Sequence, residues 1–187
     1  PEMAVEHFSR IADATDLPLI CFNYPSSGNL SYPFETLLEL FEKVPTIKAI
    51  KDWSNEPMLH EKHIKTFQNL PNPVNVLTTH SSWLMSSLVM GAKGLLSGAG
   101  SVIASLQVDL FFSIKNKDLE TAQKINEKIY PLVQAFYAPP FLDMHNRMKE
   151  TLVLLGIMNK AVVRPPLMKL SEKEINSLRQ AISLSGL

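Results

Sequence analysis

The chain is poor in cysteine, in long apolar runs and in net charge. Its only cysteine is Cys21, which excludes an intramolecular disulfide and fits a reducing, cytoplasmic compartment. No apolar run approaches the roughly 18 residues that a membrane-spanning helix needs. Eighteen acidic residues balance eighteen basic ones, so no overall charge draws the protein to nucleic acid or to an anionic membrane. We therefore predict a protein without nucleic-acid or membrane partners.

The overall composition indicates a folded globular protein. Of the 187 residues, 45% are hydrophobic and 19% charged, a balance typical of soluble globular proteins with a sizeable core. The sequence begins at Pro1, partway into a helical pattern, rather than at a methionine. We therefore expect its start to be truncated.

Apolar runs and helical patterns alternate along the first half of the chain. The predicted strands are 17–22, 47–51, 74–77 and 94–97, and the predicted helices are 2–14, 33–44, 56–68 and a segment from Trp83 to Gly91. Near-continuous apolar strands separated by helices predict parallel pairing, either in a (β/α) barrel or in a doubly wound sheet. From residue 102 onward every predicted element is a helix, and Ser171 to Glu174 forms a capping box for the last one.

The second predicted strand ends on a lysine, Lys51. Side chains alternate between the two faces of a strand, so Ile47, Ala49 and Lys51 share one face. If that face is the interior of a barrel, burial lowers the pKa of the amine and produces a nucleophile that can attack a carbonyl. The alternative is a solvated lysine in a surface turn.

Unusual polar residues follow all four predicted strands, on the edge where parallel α/β folds bind their ligands. They are Asn23, Tyr24 and Ser27 after the first strand, Asp52 after Lys51, Thr78 and His80 after the third, and Ser97 and Gly98 after the fourth.

Three other patterns are weaker evidence for a functional site. Gly98-Ala99-Gly100 lacks the third glycine and the following strand of a dinucleotide fingerprint. His60 and His63 have the separation of metal ligands on a helix, but flanking Glu and Lys residues predict an exposed surface instead. Asp143 is predicted to cap a helix. We predict no metal site.

Several motifs together resemble one known family. They are Phe22-Asn23-Tyr24-Pro25, Ile47-Lys48-Ala49-Ile50-Lys51-Asp52-Trp53-Ser54, Gly91 to Ser97, Met148-Lys149 before Leu154-Leu155-Gly156, and Arg164-Pro165-Pro166-Leu167. In sequence and spacing they resemble the pyruvate-dependent Schiff-base family that includes dihydrodipicolinate synthase and N-acetylneuraminate lyase. The resemblance extends over the whole chain.

The resemblance implies a TIM (β/α)8 barrel. Residues 1–101 would be its second half, strands five to eight, and residues 102–187 the last barrel helix with a helical extension. It implies that Lys51 forms an imine with a 2-keto acid such as pyruvate, without a metal or organic cofactor. It also implies a homo-oligomer, a dimer or a tetramer.

Two departures from the family pattern affect the expected chemistry. Phe22 stands where the family usually has a catalytic tyrosine, so the acid/base role passes to Tyr24, two residues on, or to His80. The turn that begins at Pro25 lacks the arginine that follows it in dihydrodipicolinate synthases. We accordingly predict an aldolase or dehydratase of 2-keto-3-deoxy sugar acids, with Lys51 and Tyr24 catalytic. The predicted substrate-binding residues are Phe22, Ser27, Thr78, His80, Ser97 and Gly98.

Three alternatives stay open. The first is a true dihydrodipicolinate synthase that condenses pyruvate with an aldehyde through an altered proton relay. The second is a non-catalytic relative that binds a keto acid as a sensor, which the loss of the tyrosine hydroxyl would suit. The third is an assembly protein that uses the stripe of Val133, Phe136 and Tyr137 on its helical tail, although ordinary core packing explains that stripe as well.

Overall fold

The computed structural model describes residues 1–25, 27, 30–79 and 81–187. They form two compact units, Pro1–Leu96 and Ser97–Leu187. The first unit contains α1 (Glu2–Asp13), β1 (Leu19–Asn23), α2 (Phe34–Lys43), β2 (Ile47–Asp52), α3 (Pro57–Phe67), β3 (Asn75–Thr78), a 3-10 turn at Ser81–Trp83, α4 (Leu84–Met90) and β4 (Gly94–Leu95). The second contains α5 (Gly100–Lys115), α6 (Leu119–Phe136), a 3-10 turn at Phe141–Asp143, α7 (Met144–Leu154) and α8 (Glu172–Ser185).

The four strands form one parallel sheet in the order β1-β2-β3-β4. Parallel pairing of consecutive strands, each joined to the next through a helix, confirms the prediction of an α/β fold. The strands begin and end within two residues of their predicted bounds, and β4 is the shortest, with two residues. The assignment of this sheet to strands five to eight of a barrel stays a prediction.

One face of the sheet is covered by helices. Cys21, Ile50 and Val76 lie side by side on β1, β2 and β3 and are fully buried. They pack in one hydrophobic cluster with residues of α2 and α3, among them Phe41 and Phe67. Because strand side chains alternate, the neighbouring row belongs to the opposite face. That row consists of Phe22, Lys51 and Leu77.

The helix between β3 and β4 ends where the sequence predicts. Gly91 adopts a φ of 109°, in the region that favours glycine, and its N–H bonds to carbonyls of the last turn of α4. This left-handed residue ends α4 and lets the chain turn into β4.

The second unit is helical, and its last helix begins at the predicted capping box. The Ser171 hydroxyl accepts a hydrogen bond from the Glu174 N–H, and the Glu174 carboxylate accepts one from the Ser171 N–H. Asp143 precedes α7, but its side chain makes no capping hydrogen bond to that helix; instead it accepts a hydrogen bond from the Asn146 amide at 3.3 Å. Asp143 therefore occupies the predicted N-cap position of α7 without making the capping hydrogen bond.

Within the described part of the chain, every helix is too short or too polar to cross a lipid bilayer.

Candidate active site

Lys51 lies near the carboxyl end of β2, on the sheet face opposite the helices. Its neighbours in the strand, Ile50 and Asp52, are the residues that contact the helix side, and alternation turns Lys51 away from them. The side chain is half-buried, and its Nζ lies 4.2 Å from the centroid of the Phe22 ring. Burial lowers the pKa of the Lys51 amine. The structure therefore provides an amine with an increased uncharged fraction.

The Phe22 ring that contacts this lysine belongs to a cluster of three aromatic rings. The Phe22 ring lies 4.5 Å from the Tyr24 ring and 6.2 Å from the Trp53 ring, and Tyr24 and Trp53 are 5.4 Å apart, all between centroids. Tyr24 keeps 38% of its surface exposed. Because Tyr24 packs on the ring that contacts the Lys51 amine, its phenol belongs to the same side-chain cluster.

The remaining predicted residues of the first unit differ in placement. Thr78 pairs in register with Asp52, so its side chain lies on the helix-facing side and is completely buried. Alternation puts the Thr78 and Lys51 side chains on opposite faces of the sheet, and the role of Thr78 in substrate binding stays a prediction. Ser27 is exposed. His80 lies outside the described residues.

Ser97 and Gly98 open the second unit. The Ser97 hydroxyl accepts a hydrogen bond from the Gln107 amide at 3.1 Å. A Cβ at Gly98 would stand 3.3 Å from the Tyr137 hydroxyl and 3.5 Å from Met148, so the packing there favours glycine. Their role in substrate binding stays a prediction.

A buried polar network that the sequence analysis did not foresee lies on the helix side of β2. The Asp52 carboxylate meets the Nδ1 atoms of His60 and His63, each at 2.8 Å, and its second oxygen accepts the Ser54 N–H at 2.9 Å. The His60 Nε2 atom lies 2.7 Å from the Ser87 hydroxyl of α4. The prediction that the two histidines are exposed is wrong, since each keeps only 1% of its surface exposed.

The physical reason lies in the period of α3. Its buried residues are His60, His63, Ile64 and Phe67, the spacing of an apolar stripe. The charged residues that flank the histidines, such as Glu61 and Lys62, lie on the exposed face. The helical spacing of the histidines with the apolar residues Ile64 and Phe67 was the signal available in the sequence. The charged residues beside the histidines obscured that signal.

The Asp52 carboxylate is ionised. Burial by itself would raise its pKa, but the hydrogen bonds from His60 and His63 outweigh burial and hold the pKa well below its usual range. No group of three His, Cys, Asp or Glu side chains in the described ranges has the arrangement of a metal site. The network consists of direct hydrogen bonds between protein groups.

Comparison with known proteins identifies the family of the chain. Residues 1–185 match the model of the dihydrodipicolinate synthetase family. The 4-hydroxy-tetrahydrodipicolinate synthase of Caldicellulosiruptor bescii is 26% identical over 95% of this chain and 57% of its own length. The corresponding synthase of Corynebacterium aurimucosum is 30% identical over 96% of this chain and 57% of its own.

Solved structures show the same fold. The crystal structure of dihydrodipicolinate synthase from Thermotoga maritima superposes with a TM-score of 0.85 at 22% identity, over 97% of this chain and 60% of that one. The chain thus spans somewhat more than half the length of the relatives it matches. By the match along almost its whole length, it belongs to the dihydrodipicolinate synthetase family.

Proposed function

We propose that the protein is a Schiff-base lyase, an aldolase or dehydratase, that acts on 2-keto acids such as 2-keto-3-deoxy sugar acids through an imine on Lys51. The observation that carries the proposal is the half-buried Lys51 amine with a lowered pKa, on the sheet face away from the helices. A nucleophilic amine must be uncharged, and desolvation increases that fraction near neutral pH.

The chemistry follows from the imine. The Lys51 amine attacks the C2 carbonyl carbon, and the carbonyl oxygen leaves as water to give a protonated imine. In aldol cleavage a base takes the proton of the C4 hydroxyl, the C3–C4 bond breaks, and its electron pair forms an enamine as the aldehyde departs. A proton then adds at C3, and water hydrolyses the imine to release pyruvate and the free amine. In a dehydratase the enamine forms by proton loss from C3 and expels the C4 hydroxyl as water.

We assign the proton transfers to Tyr24. Its ring packs on Phe22, whose ring contacts the Lys51 amine, and 38% of its surface is exposed to a substrate. Phe22 has no hydroxyl and contributes apolar surface. His80 stays the second candidate for proton transfer, and Ser27, Ser97 and Gly98 are proposed to contact the substrate.

The second candidate function is that of a dihydrodipicolinate synthase, which condenses pyruvate with an aldehyde. Relatives that bear the name 4-hydroxy-tetrahydrodipicolinate synthase support it. The turn Pro25-Ser26-Ser27 carries no arginine to bind a dicarboxylate, which favours the sugar-acid reaction. A non-catalytic keto-acid-binding relative is the third outcome of the experiment below.

Borohydride trapping tests the imine. Pyruvate should form an imine with Lys51, and borohydride should reduce that imine to a stable secondary amine. Peptide mass analysis then locates the adduct on Lys51. Lys51→Ala should abolish trapping, whereas Lys48→Ala, an exposed lysine of the same strand, should leave it unchanged. Absence of an adduct in the unmodified protein refutes the proposal.

Turnover assays with a panel of substrates then separate the candidates. Cleavage or dehydration of 2-keto-3-deoxy sugar acids supports the first function, and condensation of pyruvate with an aldehyde supports the second. Trapping without turnover of any substrate indicates the non-catalytic relative.

We further propose that the whole protein is a cytoplasmic homo-oligomer, a dimer or a tetramer, in which residues 1–101 form strands five to eight of the barrel. Light scattering of the full-length protein gives the mass of the assembly.

A further inference from the structure

We propose that His60 and His63 are positioning residues for Lys51, which they orient through the carboxylate of Asp52. The inference rests on the proposed function, because it concerns the orientation of the amine that forms the imine. Neither histidine contacts Lys51, and both act through the strand to which it belongs.

The geometry connects two helices to one point of β2. Asp52 follows Lys51 directly, and its Oδ2 atom meets the Nδ1 atoms of both histidines at 2.8 Å. His60 continues the chain of hydrogen bonds to Ser87 of α4 at 2.7 Å. The residues Ser87, His60, Asp52 and His63 thus form one connected unit, which we call the Asp52 network. It joins the carboxyl end of β2 to α3 and α4.

The side chains of the network are buried and pack against aromatic rings. Asp52 keeps 2% of its surface exposed, and Ser87 none. The edge of the Trp83 ring packs on His60 at 4.9 Å between centroids, and Phe67 stacks on His63 at the same distance. Buried, hydrogen-bonded polar groups have few alternative arrangements, so the network fixes the backbone at Asp52.

The ionised carboxylate determines the hydrogen positions. Because a carboxylate only accepts hydrogen bonds, each histidine presents a protonated Nδ1 to Asp52. In its neutral form, His60 then accepts the Ser87 hydroxyl at Nε2. Removing one histidine leaves the carboxylate with one fewer donor and frees the strand end to shift.

Lys51 depends on that backbone for its direction. Among the described residues its amine makes no hydrogen bond or ion pair, and it contacts the face of the Phe22 ring. An apolar ring restrains an amine less than a hydrogen bond would. The backbone of β2, which the Asp52 network holds from the opposite face, sets the point and direction from which the Lys51 side chain projects.

The test compares His63→Leu with His63→Asn in the full-length protein. Leucine keeps similar volume but removes the donor, whereas the asparagine amide can replace the Nδ1 N–H. The rate of borohydride trapping is measured over a series of pyruvate concentrations, well below the melting temperature of each variant. This separates the limiting rate of imine formation from the concentration that gives half of it.

We expect His63→Leu to lower the limiting rate about tenfold or more, with little change in the half-saturating concentration. His63→Asn should stay within about threefold of the unmodified protein. A purely structural role would lower the melting temperature of His63→Leu and leave the limiting rate unchanged, and that result overturns the inference.

If His63→Leu does not fold, Ser87→Ala replaces it, since it removes only the outermost hydrogen bond of the network. We expect about a threefold loss of limiting rate for Ser87→Ala, and an unchanged rate overturns the inference. The two proposals fail in different ways. An unmodified protein without any Lys51 adduct refutes the proposed function itself, whereas trapping that is equally fast in all variants refutes only the positioning role.

Discussion

The amine of Lys51 lies over the face of Phe22, with Nζ 4.2 Å from the ring centroid. The two residues are neighbours in register on β2 and β1. A ring face attracts a cation and favours the charged amine, whereas the burial that the ring contributes favours the neutral amine. Burial lowers the pKa of Lys51.

The first prediction concerns the pH dependence of imine formation. The uncharged fraction of an amine rises with pH, and a lowered pKa moves that rise to lower pH. The trapping rate should therefore increase with a midpoint below about 10.4, the value of an unperturbed lysine. Phe22→Ala removes the covering ring and should move the midpoint upward. A midpoint at the unperturbed value in the unmodified protein would contradict the desolvated amine.

The second prediction tests which hydroxyl transfers protons. Tyr24→Phe should lower turnover by about 10²-fold or more, because a general acid/base contributes that much. Imine trapping with pyruvate should be less affected. The double variant Phe22→Tyr with Tyr24→Phe places a phenol at the neighbouring strand position and should recover part of the loss. Full activity of Tyr24→Phe would show that another residue transfers the protons.

The third prediction concerns the stability of the first unit. Asp52→Ala removes the shared acceptor and leaves the N–H groups of two buried histidines without their partner. We expect the free energy of unfolding to fall by about 3–5 kcal/mol, measured by urea titration. Asp16→Ala, at an exposed position, is the matched control and should change it by less than about 0.5 kcal/mol. Similar effects of the two variants would contradict the network.

The contribution of Asp52 to the free energy of unfolding depends on pH. The pKa of Asp52 is depressed in the folded state, so its stabilising effect is complete above the unfolded pKa of about 3.9. The effect is lost as the pH falls from there toward the folded-state pKa, because the unfolded chain takes up the proton first. The difference in stability between the unmodified protein and Asp52→Ala should consequently be constant near neutral pH and shrink below about pH 4.

The fourth prediction concerns Arg147 in the second unit. Its buried guanidinium donates to the backbone carbonyls of Phe136, Ala138, Pro139 and Pro140 and to Glu174. Arg147→Met should lower the free energy of unfolding by about 3 kcal/mol, because several buried acceptors lose their donor together. Arg179→Met, on the exposed side of α8, should have almost no effect. Thermal denaturation followed by circular dichroism compares the two.

The local periodicity of the sequence predicts most of the secondary structure. Apolar runs of strand length and stripes of helical spacing depend only on neighbouring residues. The strands therefore lie within two residues of their predicted bounds, and the cap at Ser171 forms as predicted. The face of Lys51 also follows from alternation along one strand.

The site beyond that lysine depends on which residues meet across elements. Register between β2 and β3 puts Thr78 beside Asp52 and away from Lys51, which the order of residues after a strand does not reveal. The burial of His60 and His63 depends on the rotation of α3 about its own axis.

Patterns within the amino-acid sequence predict the parallel α/β order of the elements, the lysine at the end of β2 and the family to which the motifs belong. The hydrogen bonds of Asp52 to two histidines and the contact of Phe22 with the Lys51 amine follow only from the packed fold. Backbone preferences act between residues close in sequence, whereas hydrogen bonds and burial act between side chains that packing brings together from different elements.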